Sequence, residues 1–174
     1  MTDEQFDQLM NRLNKKDMSA LKDIYEAYSG YVYHIVFSII GQKEDSEDIA
    51  SDVFVSLFEK ADQFHTGGSH KGYLATIARN KAYDFMKKQS RVIVNDECLD
   101  VAIDETEDDV VRRIDVEDLL NKLSPEERQI VHLHFFGGLK FCEIASVLGI
   151  PEGTVNWKYS NIKKVLRRYQ YAGF

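Results

Sequence analysis

The sequence predicts an all-α protein: two small helical domains joined by an acidic linker. Three observations lead there. Apolar residues recur at steps of three and four along most of the 174 residues, and strand-like alternation is nearly absent. The two prolines, Pro125 and Pro151, both fall where a helix can begin. The formal net charge of −7 is laid out in zones: residues 1–65 carry 6 basic and 13 acidic groups, 66–91 carry 6 and 1, 92–117 carry 2 and 10, and 118–174 carry 8 and 5. Two basic zones thus alternate with two acidic ones, an arrangement a uniformly acidic enzyme does not need.

Taken in order, Asp3–Leu13, Met18–Tyr28 and Tyr31–Ile40 are expected as helices, with Gly30 and Gly41 as breaks. Asp45–Asp62 is a longer fourth, because Ile49, Val53, Phe54, Leu57, Phe58 and Ala61 step by three and four into one buried stripe. A polar loop, HTGGSHKG, runs from His65 to Gly72 and leads into a helix over about Tyr73–Gln89. On that helix Leu74, Ile77, Ala78 and Phe85 share one side, while Thr76, Arg79, Asn80, Tyr83 and Lys87 fall mostly on the other. The acidic stretch 92–111 is too rich in charge to bury a core and is expected as a flexible linker between domains 1–91 and 112–174. The second domain is expected to open with a helix over Arg112–Leu123. Ser124-Pro125-Glu126-Glu127 then sets a serine cap, a first-position proline and a glutamate three residues after the cap. That helix ends at Gly137-Gly138, and Lys140–Leu148 and Pro151–Gln170 complete the chain.

The last two helices form a tight pair. Ala145 is small where helices must approach closely, Gly149 can take the positive φ of a tight turn, and Pro151 presets the next first turn. Beyond the turn, Val155, Tyr159, Ile162, Leu166 and Tyr169 form an apolar stripe. The opposite face carries Gly153, Trp157, Ser160, Lys164 and Arg168, flanked by Thr154, Asn156, Asn161 and Arg167. From Gly153 to Tyr169 there are five Lys or Arg and no acid. Cations for phosphates and amides for base edges suit a helix lying in a major groove.

Composition removes other classes. Hydrophobic residues at 44% and charged residues at 29% are ordinary for a soluble chain. No run approaches the roughly 18 apolar residues of a membrane span. The acidic, amphipathic N-terminus is not that of a signal peptide, so the cytoplasm is expected. Cys98 and Cys142 form no CxxC pair. His132 and His134, two apart on a helix, point in different directions and could not share a metal. No phosphate loop, HExxH or nucleophile elbow is present, and no catalytic residue, metal, cofactor or small-molecule substrate is expected.

Three separated segments together resemble one family. Asp45-Ser46-Glu47-Asp48-Ile49-Ala50-Ser51-Asp52-Val53-Phe54, then Tyr73-Leu74-Ala75-Thr76-Ile77-Ala78-Arg79-Asn80, then Leu123-Ser124-Pro125-Glu126-Glu127-Arg128 with Glu143-Ile144-Ala145 through Gly153-Thr154-Val155, are similar to bacterial sigma-70-family factors of the extracytoplasmic-function (ECF) group. The likeness runs from about Ala20 to Tyr169 in the same order and spacing. It departs at Ser51 (commonly glutamine), Tyr73 (commonly tryptophan), Lys140 (commonly a capping Ser or Thr) and Asn156-Trp157-Lys158-Tyr159 in the reading helix.

The resemblance implies a sigma2-like helical bundle and a sigma4-like helix-turn-helix domain. It implies an alternative sigma factor that binds core RNA polymerase and directs promoter-specific initiation. Asp45, Glu47, Asp48, Asp52, Phe54 and Leu57 would dock on the clamp helices of the β′ subunit. His65, Lys71, Tyr73, Thr76, Arg79, Asn80, Tyr83, Lys87, Lys88 and Arg91 would open and hold the −10 element as single strand, for which aromatic rings beside cations are suited. Gly153, Thr154, Asn156, Trp157, Ser160, Asn161, Lys164, Arg167 and Arg168 would read the −35 element as duplex. The linker would thread toward the polymerase's RNA path. An inhibitory anti-sigma partner is also implied, with membrane anchoring of that partner left open. A rival is a free-standing regulator of the LuxR type, which also carries EIA and a glycine turn; it would bind its duplex site without polymerase.

Overall fold

The computed structural model describes residues 1–93, Leu120 and residues 123–170. Apart from its first two residues, the linker expected over 92–111 lies outside the described residues. So does the helix expected over Arg112–Leu123, apart from Leu120 and Leu123. Among the described residues the chain is helical, with no strand.

Helix α1 spans Asp3–Asn14 and is closed at its start by a reciprocal cap: Thr2 Oγ1 accepts from Gln5 N (3.3 Å) and Gln5 Oε1 accepts from Thr2 N (2.9 Å). Phe6, Met10 and Leu13 bury one face. Helix α2 spans Met18–Ile40, capped by Asp17, whose carboxylate accepts from Ser19 N at 3.0 Å. It is one continuous helix, which corrects the expected break at Gly30. A helical glycine costs only about 1 kcal/mol against alanine. Tyr28 and Val32 on either side are buried, and burying such side chains is worth about 1.5–3 kcal/mol each.

Helix α3 spans Lys43–Glu59, and a 3-10 turn at Ala61–Gln63 takes the last residues expected of it. Helix α4 spans His70–Ile93, starting three residues before the expected Tyr73 and running past the expected Gln89. The earlier start has a tertiary cause: the His70 backbone N–H donates to Asp3 Oδ1 at 3.0 Å, which satisfies a first-turn donor from across the fold. These helices pack around Phe6, Ile24, Val32, Val53, Leu57 and Leu74.

Helix α5 spans Pro125–Val131 and starts as the sequence predicts, with Ser124 Oγ accepting from Glu127 N (3.3 Å) and Glu127 Oε2 accepting from Ser124 N (3.0 Å). It then widens into a π turn, His132–Phe136, that the periodicity did not signal. Gly137 N donates to His132 O at 3.1 Å, five residues back. A Cβ at Gly137 would stand 2.3 Å from Leu133 O, so only glycine closes this turn without a shift. Helix α6 spans Phe141–Leu148. Its cap, Lys140, has no side-chain acceptor, and only half the reciprocal motif forms, with Glu143 Oε2 accepting from Lys140 N at 2.7 Å. Gly149 turns at φ 68°, and α7 follows over Glu152–Gln170. Ile130, Leu133, Leu139, Ile144, Val155 and Ile162 fill the space between these elements.

Candidate nucleic-acid interfaces

Helix α7 is held by its apolar stripe. Val155 and Ile162 are buried, with Tyr159 and Leu166 packed beside them. The other side faces solvent: Gly153, Asn156, Trp157, Ser160, Lys164 and Arg167 are exposed, and Thr154 and Asn161 half-buried. Trp157 is 63% exposed. Arg168 lies in the last turns of the same helix. The cations are not equal. Lys158 Nζ is paired to Glu126 Oε2 at 2.7 Å and Lys163 Nζ sits 4.9 Å from the Tyr159 ring centroid, whereas Lys164 and Arg167 reach outward.

The second face lies along α4 and the loop before it. From Lys71 to Lys87 the helix rises about 24 Å. His65 is exposed on the loop, and Asn80, Tyr83, Lys87 and Lys88 are exposed on the helix. Arg91 belongs to the final turns. The rest of this face is in use. Tyr73 is half-buried against Phe64 with ring centroids 5.1 Å apart, and burial pushes its hydroxyl up from the ordinary phenol range. Thr76 Oγ1 donates to Gly72 O at 2.8 Å. Arg79 Nε donates to Gln129 Oε1 at 3.3 Å and lies over the Tyr83 ring at 4.9 Å, while Gln129 Nε2 donates to the Tyr83 hydroxyl. Lys71 Nζ donates to Gly137 O at 3.1 Å, and Tyr31 OH donates to Lys71 O at 2.9 Å. Burial first, then the Glu143 carboxylate, push the Tyr31 hydroxyl strongly up. Nearby, the His34 ring stacks on Phe136, which stacks in turn on His132 (centroids 5.7 and 5.3 Å apart).

The proposed docking surface on α3 divides. Glu47, Asp48 and Asp52 are exposed and Asp45 is half-buried, accepting from Gln89 Nε2 at 3.4 Å. Phe54 and Leu57 are buried, at 4% and 0% exposure. That corrects their reading as contact residues: they pack inward, and the exposed apolar groups of this region are Tyr25 and Val55. Tyr25 meets Phe54 edge-on at 4.9 Å. With Ser29, Tyr33, Asp48 and Ser51 they line a hollow of about 580 Å³ between α2 and α3.

Two participants escaped the sequence reading. Gln129 is 6% exposed and holds Arg79 and Tyr83 together. Its signal was a polar residue four before the buried Leu133, on the apolar side of a helix. His70 is 7% exposed, bonded to Asp3 through Nδ1 and to Tyr28 OH through Nε2 at 2.5 Å. Its partners lie 67 and 42 residues away, and no local pattern announces them. Among the described residues no group of His, Cys, Asp and Glu could hold a metal ion, and no helix is long and apolar enough to cross a membrane.

These two faces, on two stretches of helix, coincide with two family models. The model described as Sigma-70 region 2 matches residues 24–92, and that described as Sigma-70, region 4 matches residues 113–166. The ECF RNA polymerase sigma factor BldN of Streptomyces coelicolor is 30% identical over 156 residues, covering 85% of this chain and 59% of BldN. The ECF RNA polymerase sigma factor SigW of Bacillus subtilis is 24% identical over 178 residues, covering 91% of this chain and 93% of SigW. In fold, the chain is similar to the sigma factor RpoE of Bartonella quintana, solved with the anti-sigma factor NepR: the TM-score is 0.72 at 24% identity, over 86% of this chain and 96% of that one. The chain belongs to the sigma-70 family of RNA polymerase sigma factors, within its ECF group.

Proposed function

We propose that the chain is an alternative sigma factor that binds core RNA polymerase, directs promoter-specific initiation and performs no bond chemistry itself. The observation that carries this is the presence on one chain of both matched regions, 24–92 and 113–166, in that order. A free-standing helix-turn-helix regulator needs only the second. We assign domain 1–91 to polymerase docking and the −10 element, 92–111 to a linker, and 112–174 to the −35 element. Glu47 and Asp48 line the hollow beside Tyr25 and Tyr33, and Asp52 is exposed one turn further along α3, so negative charge stands around an aromatic centre and suits a positively charged surface on the polymerase. Promoter DNA takes the faces of α4 and α7, and an anti-sigma factor, the kind of partner with which RpoE was solved, is the expected inhibitor. The cytoplasm is where such a protein acts.

The test is run-off transcription from a pool of genomic fragments with core polymerase, with and without this protein. Discrete new transcripts are expected, their upstream sequences giving both promoter elements. No transcripts, together with duplex binding by the protein alone, would replace this reading with the LuxR-type regulator. Reversing Asp48 and Asp52 to lysine is expected to abolish polymerase binding while the circular dichroism stays helical; normal binding would move the docking surface elsewhere.

A further inference from the structure

We infer that α1 is the positioning element of the −10 loop, and that Asp3, Phe6 and Asp7 set where His65 is presented to DNA. This rests on the −10 reading above. The three residues stand at i, i+3 and i+4, one face of a helix. Together they hold the segment from Phe64 to His70 at its two ends and its middle. Phe6 meets Phe64 edge-on at 5.7 Å and stacks on His70 at 5.3 Å, so one ring touches both ends of the loop. Asp3 accepts from the backbone N–H of His70 and from its ring, and those bonds hold the Asp3 carboxyl below the usual carboxylate range. Asp7 Oδ2 accepts from Gly67 N at 3.2 Å, in the middle of the loop.

The loop cannot supply this order by itself. His65-Thr66-Gly67-Gly68-Ser69 has no apolar side chain to bury, and its two glycines leave the backbone freer than any other residues would. Asp7 also carries a cost: its Oδ1 is buried with no hydrogen-bond partner. The region 2 match begins at residue 24, so α1 lies outside the part of the chain that the family model describes.

The experiment is transcription by core polymerase saturated with each variant, on a promoter library randomised over the −10 element. His65→Ala identifies the bases that the loop reads. Asp7→Ala is expected to lower selectivity at those same bases by about threefold to tenfold, the span of one hydrogen bond. Preference at the −35 element and polymerase binding stay unchanged. Asp7→Asn keeps an acceptor for Gly67 and is expected to restore the wild-type profile. Asp3→Asn, which keeps one acceptor and loses the charge, is expected to fall between. An unchanged profile for Asp7→Ala overturns the inference, as does a uniform loss at all bases with a lower Tm that asparagine fails to rescue. If His65→Ala alters the profile and Asp7→Ala does not, the inference alone fails. If neither His65→Ala nor Lys71→Ala alters it, the −10 reading fails and takes the inference with it.

Discussion

The faces of α4 and α7 are built from the same materials and left in opposite states. On α7 the outward residues Trp157, Ser160, Lys164 and Arg167 are exposed; Asn156, also exposed, donates to Glu152 O at 3.1 Å, and Lys158 is paired with Glu126. On α4 the central residues Arg79 and Tyr83 are held by Gln129, and Lys71 is held by Gly137 O. Among the described residues none stands between a duplex and α7. On α4, Arg79, the Tyr83 hydroxyl and Lys71 are engaged by the C-terminal part, while Asn80 and the Tyr83 ring stay open to solvent. The holding bonds are few: those of Arg79 and Lys71 have a charged donor and are worth about 1.5–3 kcal/mol each, and that between Gln129 and Tyr83 is neutral and worth about 0.5–1.5 kcal/mol, which is within what one new protein interface can offset. Two faces of similar chemistry thus differ in availability because of a single glutamine and a single carbonyl.

The comparison breaks first, and with the largest effect, at α7. Lys164→Ala with Arg167→Ala is expected to weaken duplex −35 binding at least about tenfold at low salt and to flatten the salt slope by about 2. The measurement is made on the complex with core polymerase; among the described residues none covers this face, so the loss needs no prior movement of the protein. An unchanged slope would mean that α7 is not on phosphates. Next in size is Gln129→Ala. It frees Arg79 and Tyr83 together, so the polymerase-free protein should bind a single-stranded −10 oligonucleotide about fivefold more tightly, with duplex binding unmoved. Fluorescence anisotropy reads both; equal single-strand affinity would mean that the cover does not limit access.

The last prediction concerns acid and leaves the two faces themselves unmoved. Burial, then the charges of His34 and Arg128, lower the His132 pKa from 6.5 to about 4. The fold therefore favours neutral imidazole, and the unfolded chain takes up the proton first. The resulting stability is complete above pH 6.5 and is lost as pH falls from there toward 4. His132→Phe keeps the stack on Phe136 without the titration, so its Tm should fall less than the wild type's between pH 6.5 and 4.5. Parallel Tm curves would remove His132 from the account.

What the sequence made legible divides along the same line. The caps at Ser124 and the glycine turn at Gly149 are local chemistry, and the structure forms both. The stripe of Val155, Tyr159, Ile162 and Leu166 packs inward as its period requires. Gly30 was over-read, because a weak propensity was set against burial that a single segment does not reveal. Phe54 and Leu57 were assigned to the docking surface by the family resemblance, although their own period points them inward. His70 and Gln129 were missed because their meaning depends on Asp3, Tyr28, Arg79 and Tyr83, all 42 to 67 residues away.

The π turn at His132–Phe136 leaves this chain with one residue to spare. A π turn holds one residue more than the α turn it replaces, so a single-residue deletion there could relax into ordinary α-helix. The segment would still run to Gly137-Gly138 in the same direction, and the helix bearing Trp157 and Lys164 would keep its aim. What would change is the local set of rings, because the stack of His132 on Phe136 and of Phe136 on His34 depends on the widened turn. The loss of one codon would edit the seam against α2 and leave the reading head where it is.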